Sequence, residues 1–270
     1  MNFQRDIMAL SQVEKERAEA IKNAIAGRDD LKTLPDFEIA HLAIVRGENM
    51  DRALDTAYKM QCFREELKII DTAQDGLDTI LAFMNLQPGF LLELTYLPFH
   101  GTYSWSCDYE KLNPSVVRTR EQWRTFQGGF YYMMRCAATD FHSIRTGLAT
   151  LSECEGMGSH NFDIKLFEKA VHELWSFYPA RYKETVWLHT PSFANFCYSM
   201  LRKIVSQELA DSWRIGEEIQ GFEGRRLTEL FHIPNFEVAT INLVARLQRY
   251  LTQRYHNEHT FELDNCRILA

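Results

Sequence analysis

The stretch YPARYKETVWLHTPSFANFCYSML, from Tyr178 to Leu201, changes character twice. It opens with Arg181 and Lys183 among aromatic residues, becomes the strand-like run Thr185-Val-Trp-Leu-His189, halts at Pro191 and restarts as an aromatic helix. Ser192 stands at the N-cap position, and Phe193, Phe196, Cys197, Met200, Leu201 and Ile204 follow at i, i+3, i+4, i+7, i+8 and i+11. That spacing predicts a helix over 192–206 with one apolar face. Two readings of the face stay open. It is the underside of a surface helix docked on a sheet, or it is a lid whose aromatic and methionine side chains fit a ligand when closed and a lipid surface when open. Arg181, Lys183, Arg202 and Lys203 stand close by in the chain, either as contacts for phosphate headgroups or as ordinary solvated charges.

Upstream, the pattern is first all-helical. Ser11 and Glu14 form a capping box that opens a helix over 12–26, with Gly27 as its stop. A second helix over 37–46 ends at Gly47, and a third, capped by Asn49, carries Ala53, Leu54, Cys62, Phe63 and Leu67 as its stripe. A fourth runs from Gly76 to about Asn85. At Gln87-Pro-Gly89 the period changes, and Phe90–Leu97 and Thr102–Asp108 read as extended. A second capping box, Thr119 with Gln122, opens a helix whose inner side is Trp123, Phe126, Phe130, Met133 and Phe141. A strand over 146–153 and a helix over about 161–177, striped by Ile164, Phe167, Val171, Leu174 and Trp175, lead into the opening segment. A last long helix shows Val238, Ile241, Val244, Leu247 and Leu251. This order predicts an α/β chain: a helical lobe over 1–86, then a domain over 87–270 built on a mostly parallel sheet with crossover helices.

The aromatic share is 13%, with eighteen Phe and eleven Tyr, while the apolar share of 46% is ordinary. The surplus of rings is a bulky core or the lining of a cavity for an apolar ligand. A net charge of −7 leaves no basic field to hold nucleic acid. No stretch approaches the ~20 apolar residues of a membrane span, and Met1–Asp6 lacks the apolar run of a signal peptide. The cysteines at 62, 107, 136, 154, 197 and 266 are scattered with no CxxC, as expected of reduced thiols in a cytoplasmic protein.

Motifs for catalysis are missing. No GxSxG elbow, GxxxxGK[ST] loop or HExxH occurs. His256-Asn-Glu-His259 has ligand-like spacing but reads as a solvated terminus, and Glu153-Cys-Glu155 as a strand-end turn. Gly156-Met-Gly158 is too short for a dinucleotide fingerprint. The expectation is a chain that is not an enzyme and needs neither metal nor cofactor.

Residues 146–204 resemble the CRAL-TRIO lipid-binding family, especially its α-tocopherol-transfer and retinaldehyde-binding branch. Ser152-Glu-Cys-Glu-Gly156 is similar to that branch's Phe-Asp-Leu-Glu-Gly strand end. Tyr178-Pro179 with Arg181 and Lys183, then strand 185–189, Pro191 and Tyr198-Ser-Met-Leu-Arg202, follow the order of its later motifs. Leu42 to Ala53 and Asp108 to Pro114 resemble two upstream motifs, so the likeness covers most of 34–217. It implies a helical lobe, a sheet-floored apolar pocket and a mobile gate helix, here 192–206. The pocket positions it implies are Phe130, Met134, Leu148, Ser152, Leu174, Tyr178 and Tyr182, and strand alternation sets Thr150 on the same face as Leu148 and Ser152. Trp187 on the strand and Phe193, Phe196 and Met200 on the gate complete the expected lipid contacts, and Arg181 and Lys183 the headgroup contacts. Three further basic positions of the branch are Ile44, Glu208 and Ser212 here, and a family Glu is Ala180. The implied ligand is one lipophilic molecule, tocopherol-like, retinoid, sterol-like or phospholipid, held in roughly 300–1,000 Å³. The implied activity is transfer between membranes by a monomer that touches membrane surfaces transiently, including their phosphoinositides. The alternative is a lipid-regulated interaction module without net transport.

Overall fold

The computed structural model describes residues 7–32, 34–68, 72–97, 101–173, 178–215, 224–231 and 236–269. Four helices come first: α1 (Gln12–Ala26), α2 (Asp36–Arg46), α3 (Met50–Leu67) and α4 (Ala73–Leu86). Each of α1, α3 and α4 starts where a side-chain oxygen takes an otherwise orphaned backbone N–H, from Ser11, Asn49 and Thr72 respectively. Strands β1 (Leu91–Leu97) and β2 (Thr102–Asp108) form an antiparallel pair. Helices α5 (Arg120–Ala137) and α6 (Phe141–Thr146) lead to β3 (Leu148–Glu153), α7 (Ile164–Glu173) to β4 (Tyr182–Leu188), and α8 (Ser192–Leu201) with α9 (Gln207–Asp211) to β5 (Trp213–Ile215). Short α10 (Leu227–Leu230) and long α11 (Phe236–Thr260) follow.

The five strands lie in sequence order, β2 to β5 parallel, so the fold is mixed α/β with helices supplying each crossover. Register aligns Trp105, Thr150, Thr185 and Trp213 across four strands. By the two-residue alternation of strands, Cys107, Ser152 and Trp187 share their face. The opposite face carries Leu151, Val186 and Leu188, which cluster with Leu92 and Leu97 of β1 and with Leu227 of α10.

The main core runs without a break from the first helices into the sheet, with Phe37, Phe83, Phe90 and Phe126 in one cluster with Leu247 and Leu251 of α11. Within it sit four buried charges. Arg254 bonds Glu38 and Glu258 at 2.7 Å each, and Arg135 bonds Glu258 at 2.6 Å, tying α2, α5 and α11 together. Taking such charges out of water is tolerated because each one faces an opposite charge.

That network explains two departures from expectation. His256–His259 is the end of α11 and not a tail: both histidines are exposed, as expected, but Asn257 and Glu258 between them are buried, and His259 Nδ1 lies 2.7 Å from the Tyr255 carbonyl. Because Arg254 and Glu258 must point inward, the buried line of α11 is Leu243, Leu247 and Leu251, and Ile241 is left 64% exposed.

Other stripes are rotated too. On α3 the buried residues are Ala53, Thr56, Ala57, Met60 and Phe63, and Cys62 faces out. Phe141 belongs to a separate helix, because the Asp140 carboxylate accepts from Ser143 N–H and restarts the chain as α6, so β3 begins at Leu148 and not at residue 146. Helix α7 begins at Ile164 after a 3-10 turn over Ser159–Asn161. Leu174 and Trp175 lie outside the described residues.

Helix α8 is shorter than expected and turned about its axis. It ends at Leu201 and buries Ala194, Cys197 and Leu201 against Trp187 and Trp213. Two indoles leave room for small side chains opposite them, so Phe196 is rolled outward and is 59% exposed.

Candidate functional site: an aromatic cavity on the sheet

Between the sheet and the helices over it lies a cavity of about 70 Å³. Its floor is the aligned face just described: Trp105, Cys107, Thr150, Ser152, Thr185, Trp187 and Trp213. Phe126 and Phe130 of α5, Leu166, Phe167 and Ala170 of α7, and Leu209 of α9 form the roof. Phe90, Tyr109 and Leu112 close it further, and Tyr182 completes the wall. Among the described residues, none that lines it is charged.

The volume is well below the 300–1,000 Å³ expected, and the rings explain why. Phe130 packs against Phe126 at 5.0 Å and Trp105 at 5.7 Å between ring centroids, while Tyr109 stacks on Trp187 at 5.5 Å. The aromatic surplus thus serves as core and as cavity lining at once, with the rings occupying the space they enclose. Burial pushes the Cys107 thiol and the Tyr109 phenol far up, so both stay neutral at physiological pH.

Three polar atoms in this lining are conspicuous. Thr150 Oγ1, Trp187 Nε1 and Trp213 Nε1 are buried and meet no hydrogen-bond partner among the described residues. Tyr182, by contrast, donates its hydroxyl to Met134 Sδ at 3.4 Å.

Of the expected lipid contacts, Phe130, Thr150, Ser152, Tyr182 and Trp187 meet at this cavity. Met134, Leu148 and Tyr178 line a separate recess of about 20 Å³ next to it, together with Arg181. Phe193 and Met200 are half-buried and Phe196 is exposed, and none of the three lines the cavity. Helix α8 stands one layer behind the wall: Tyr198 packs on Trp187 and Trp213, and its hydroxyl donates to the Trp213 carbonyl at 3.3 Å. Leu174 is outside the described residues. Arg181 is exposed and donates to the Ile44 carbonyl at 2.7 Å, and Lys183 is exposed beside it on β4.

The roof is fastened at one end. Glu173 of α7 accepts from Trp123 Nε1 at 2.7 Å and from Gln127 Nε2 at 2.8 Å, and Lys169 lies 4.3 Å over the Trp123 ring. Ala170 is the one apolar residue of α7 that is fully buried. Outside the roof a groove of about 400 Å³ carries Arg46, Arg52, His172 and Lys59, the last paired with Asp55 of the same groove at 2.7 Å, and shares Tyr182 and Leu209 with the cavity.

Sequence reading missed Trp105, Cys107 and Trp213. The first two were legible from alternation along Thr102–Asp108 once that strand was set beside β3. Trp213 was not, since a three-residue strand has no period to read.

No curated protein sequence matches the chain. Among solved structures, the fold is similar to that in the crystal structure of Sfh5, with a TM-score of 0.52 and 14% sequence identity over 80% of this chain and 82% of that one. No helix among the described residues is long and apolar enough to cross a membrane. The segment that builds the cavity floor and α7, residues 102–221, matches the CRAL/TRIO domain family, and the five-stranded α/β fold around it is of that kind.

Proposed function

We propose that this chain encloses one lipophilic molecule between its sheet and helices α5 and α7, carries it between membranes, and leaves it chemically unchanged. The observation that carries this reading is the lining: an uncharged, mostly aromatic cavity inside the segment that matches CRAL/TRIO domains. An alkyl chain placed there gains ~0.8 kcal/mol per buried CH₂. Because rings fill the cavity, uptake requires them to turn aside and the roof to lift. Helix α7, with one buried apolar residue and a polar anchor at Glu173, is suited to that movement. The groove outside it, with Arg46, Arg52 and His172 beside the Lys59–Asp55 pair, faces anionic headgroups during exchange, phosphoinositides included, and the exposed Arg181 and Lys183 extend that surface.

The test is lipid extraction from the purified chain followed by transfer of a labelled lipid between donor and acceptor vesicles. Co-purifying lipid and protein-dependent transfer support the carrier. Lipid binding with no acceleration of transfer would replace it with a lipid-regulated interaction module. A chain that takes up no lipid would end both.

A further inference from the structure

Two indole N–H groups point to what the ligand must bring. Trp187 and Trp213 line the cavity at 1% and 7% exposure, their rings 5.9 Å apart and 34° from parallel. Neither N–H meets an acceptor among the described residues. An indole N–H can only donate, and leaving it unmet in a buried site is costly. Thr150 lies two strands away on the rung shared with Trp213, again with its hydroxyl unmet. Adjacent strands are separated by roughly 4.8 Å, so that hydroxyl marks a second polar point about 10 Å off.

The rest of the wall restricts the chemistry further. Among the described residues, no lysine, arginine or histidine lines the cavity. An ionised carboxylate or phosphate placed there would be stripped of water with no cation to meet it. A pure hydrocarbon would leave both indoles unsatisfied. A neutral oxygen acceptor satisfies both conditions.

We infer that Trp187 and Trp213 form a donor clamp that selects neutral lipophiles bearing a carbonyl, ether or hydroxyl oxygen over both hydrocarbons and ionised lipids. This rests on the cavity being the ligand site proposed above. Helix α8 acquires a role in the same arrangement: Tyr198 packs on both indoles and holds the Trp213 backbone, so the helix positions the clamp from behind.

The test uses the full chain with three probes of equal chain length: methyl nonyl ketone, n-undecane and undecanoate. Uptake is followed by native mass spectrometry and by intrinsic tryptophan fluorescence at neutral pH. The ketone is expected to bind about tenfold or more tightly than either of the others, the usual scale for one unmet buried donor. Trp187→Phe and Trp213→Phe keep an aromatic ring and delete the donor. Each should bring the ratio of ketone to alkane affinity down toward one, and circular dichroism shows that the variant is folded. Should Trp187→Phe fail to fold, Trp213→Phe on the short edge strand carries the test alone. Equal affinity of the wild-type chain for ketone and alkane overturns the clamp and leaves the carrier reading standing. Undecanoate binding as tightly as the ketone overturns the selection for neutral ligands. Uptake of none of the probes overturns the cavity as a lipophile site, and the clamp with it.

Discussion

The carboxylate of Glu173 accepts the indole N–H of Trp123 at 2.7 Å, and through that bond the end of α7 is held to α5. The same oxygen takes the Gln127 amide at 2.8 Å, so a single acidic residue anchors the cavity roof. Replacing Glu173 with alanine should free α7 with little global cost, about 1–2 kcal/mol. Amide hydrogen exchange over 164–173 should speed up about five- to tenfold while α8 and the sheet keep their protection. Unchanged exchange in that helix would mean that packing, and not the anchor, holds the roof.

Ala170 offers a way to close the cavity from above. It lies on α7, is buried and faces the space between Phe126 and the sheet. An Ala170→Phe chain should fold, since the roof is lightly packed, and should lose lipid loading in native mass spectrometry. Leu148→Trp, in contrast, should overpack the small recess beside Met134 and Tyr178 and cost about 1–3 kcal/mol. A folded Ala170→Phe protein that loads lipid as well as wild type would place the ligand elsewhere.

Phe196 is a large apolar side chain in water, so its removal should not unfold the protein. Full burial of a Phe in an apolar medium is worth about 1.5–3 kcal/mol. Phe196→Ser should therefore weaken co-sedimentation with phosphatidylcholine vesicles about tenfold at unchanged thermal stability. Equal sedimentation of wild type and variant would remove this residue from the membrane-contacting surface.

His41 gives the fold an acid-sensitive joint. Burial first, and the nearby Arg254 guanidinium second, lower its pKa from 6.5 to about 3 despite the opposing pull of Glu38. The neutral ring donates from Nε2 to the Pro179 carbonyl at 2.7 Å, and Nδ1 stands 3.8 Å from Glu38. Below pH 6.5 the unfolded chain binds a proton at this residue that the folded chain refuses until about pH 3. Stability should thus be full above 6.5 and fall with acidification, by up to about 1.4 kcal/mol per pH unit. Urea unfolding between about pH 5 and 6.5 spans the range in which the unfolded imidazole titrates, and a variant is needed because burial raises the carboxyls of Glu93, Asp108 and Glu258 toward the same range. His41→Gln, which keeps an N–H donor, should flatten that slope, and a slope unchanged in the variant would assign it to other groups.

Much of the architecture was written locally. Capping boxes at Ser11 and Thr119 placed α1 and α5, and the change of period at Gln87 marked where helices give way to strands. Those signals depend on neighbours in the chain, which a sequence displays. What it hid was rotation. Ile241, Cys62 and Phe196 all belong to apolar stripes yet face water, because the buried side of each helix was decided by distant partners: an ion network, an alanine-lined contact and a pair of indoles. The cavity was half legible for the same reason. Alternation along β3 identified Thr150 and Ser152, whereas the roof over them and the donor at Trp213 are set by tertiary packing.

The first helices of this protein cannot complete their own interior. Glu38 finds its cation on α11, at Arg254, 216 residues further along the chain. Beyond that helix, Leu10 lies in a parallel bridge with Ile268. On a ribosome, the opening segment therefore emerges long before the residues that neutralise and seal it. Until the last helix is released, a carboxylate and the parts of α2 and α4 that this helix covers stay open to solvent. Such dependence on remote contacts slows folding and lengthens the interval in which a growing chain is prone to aggregate. A holdase that covers apolar helices during synthesis should accordingly raise the yield of native protein more than one acting after release.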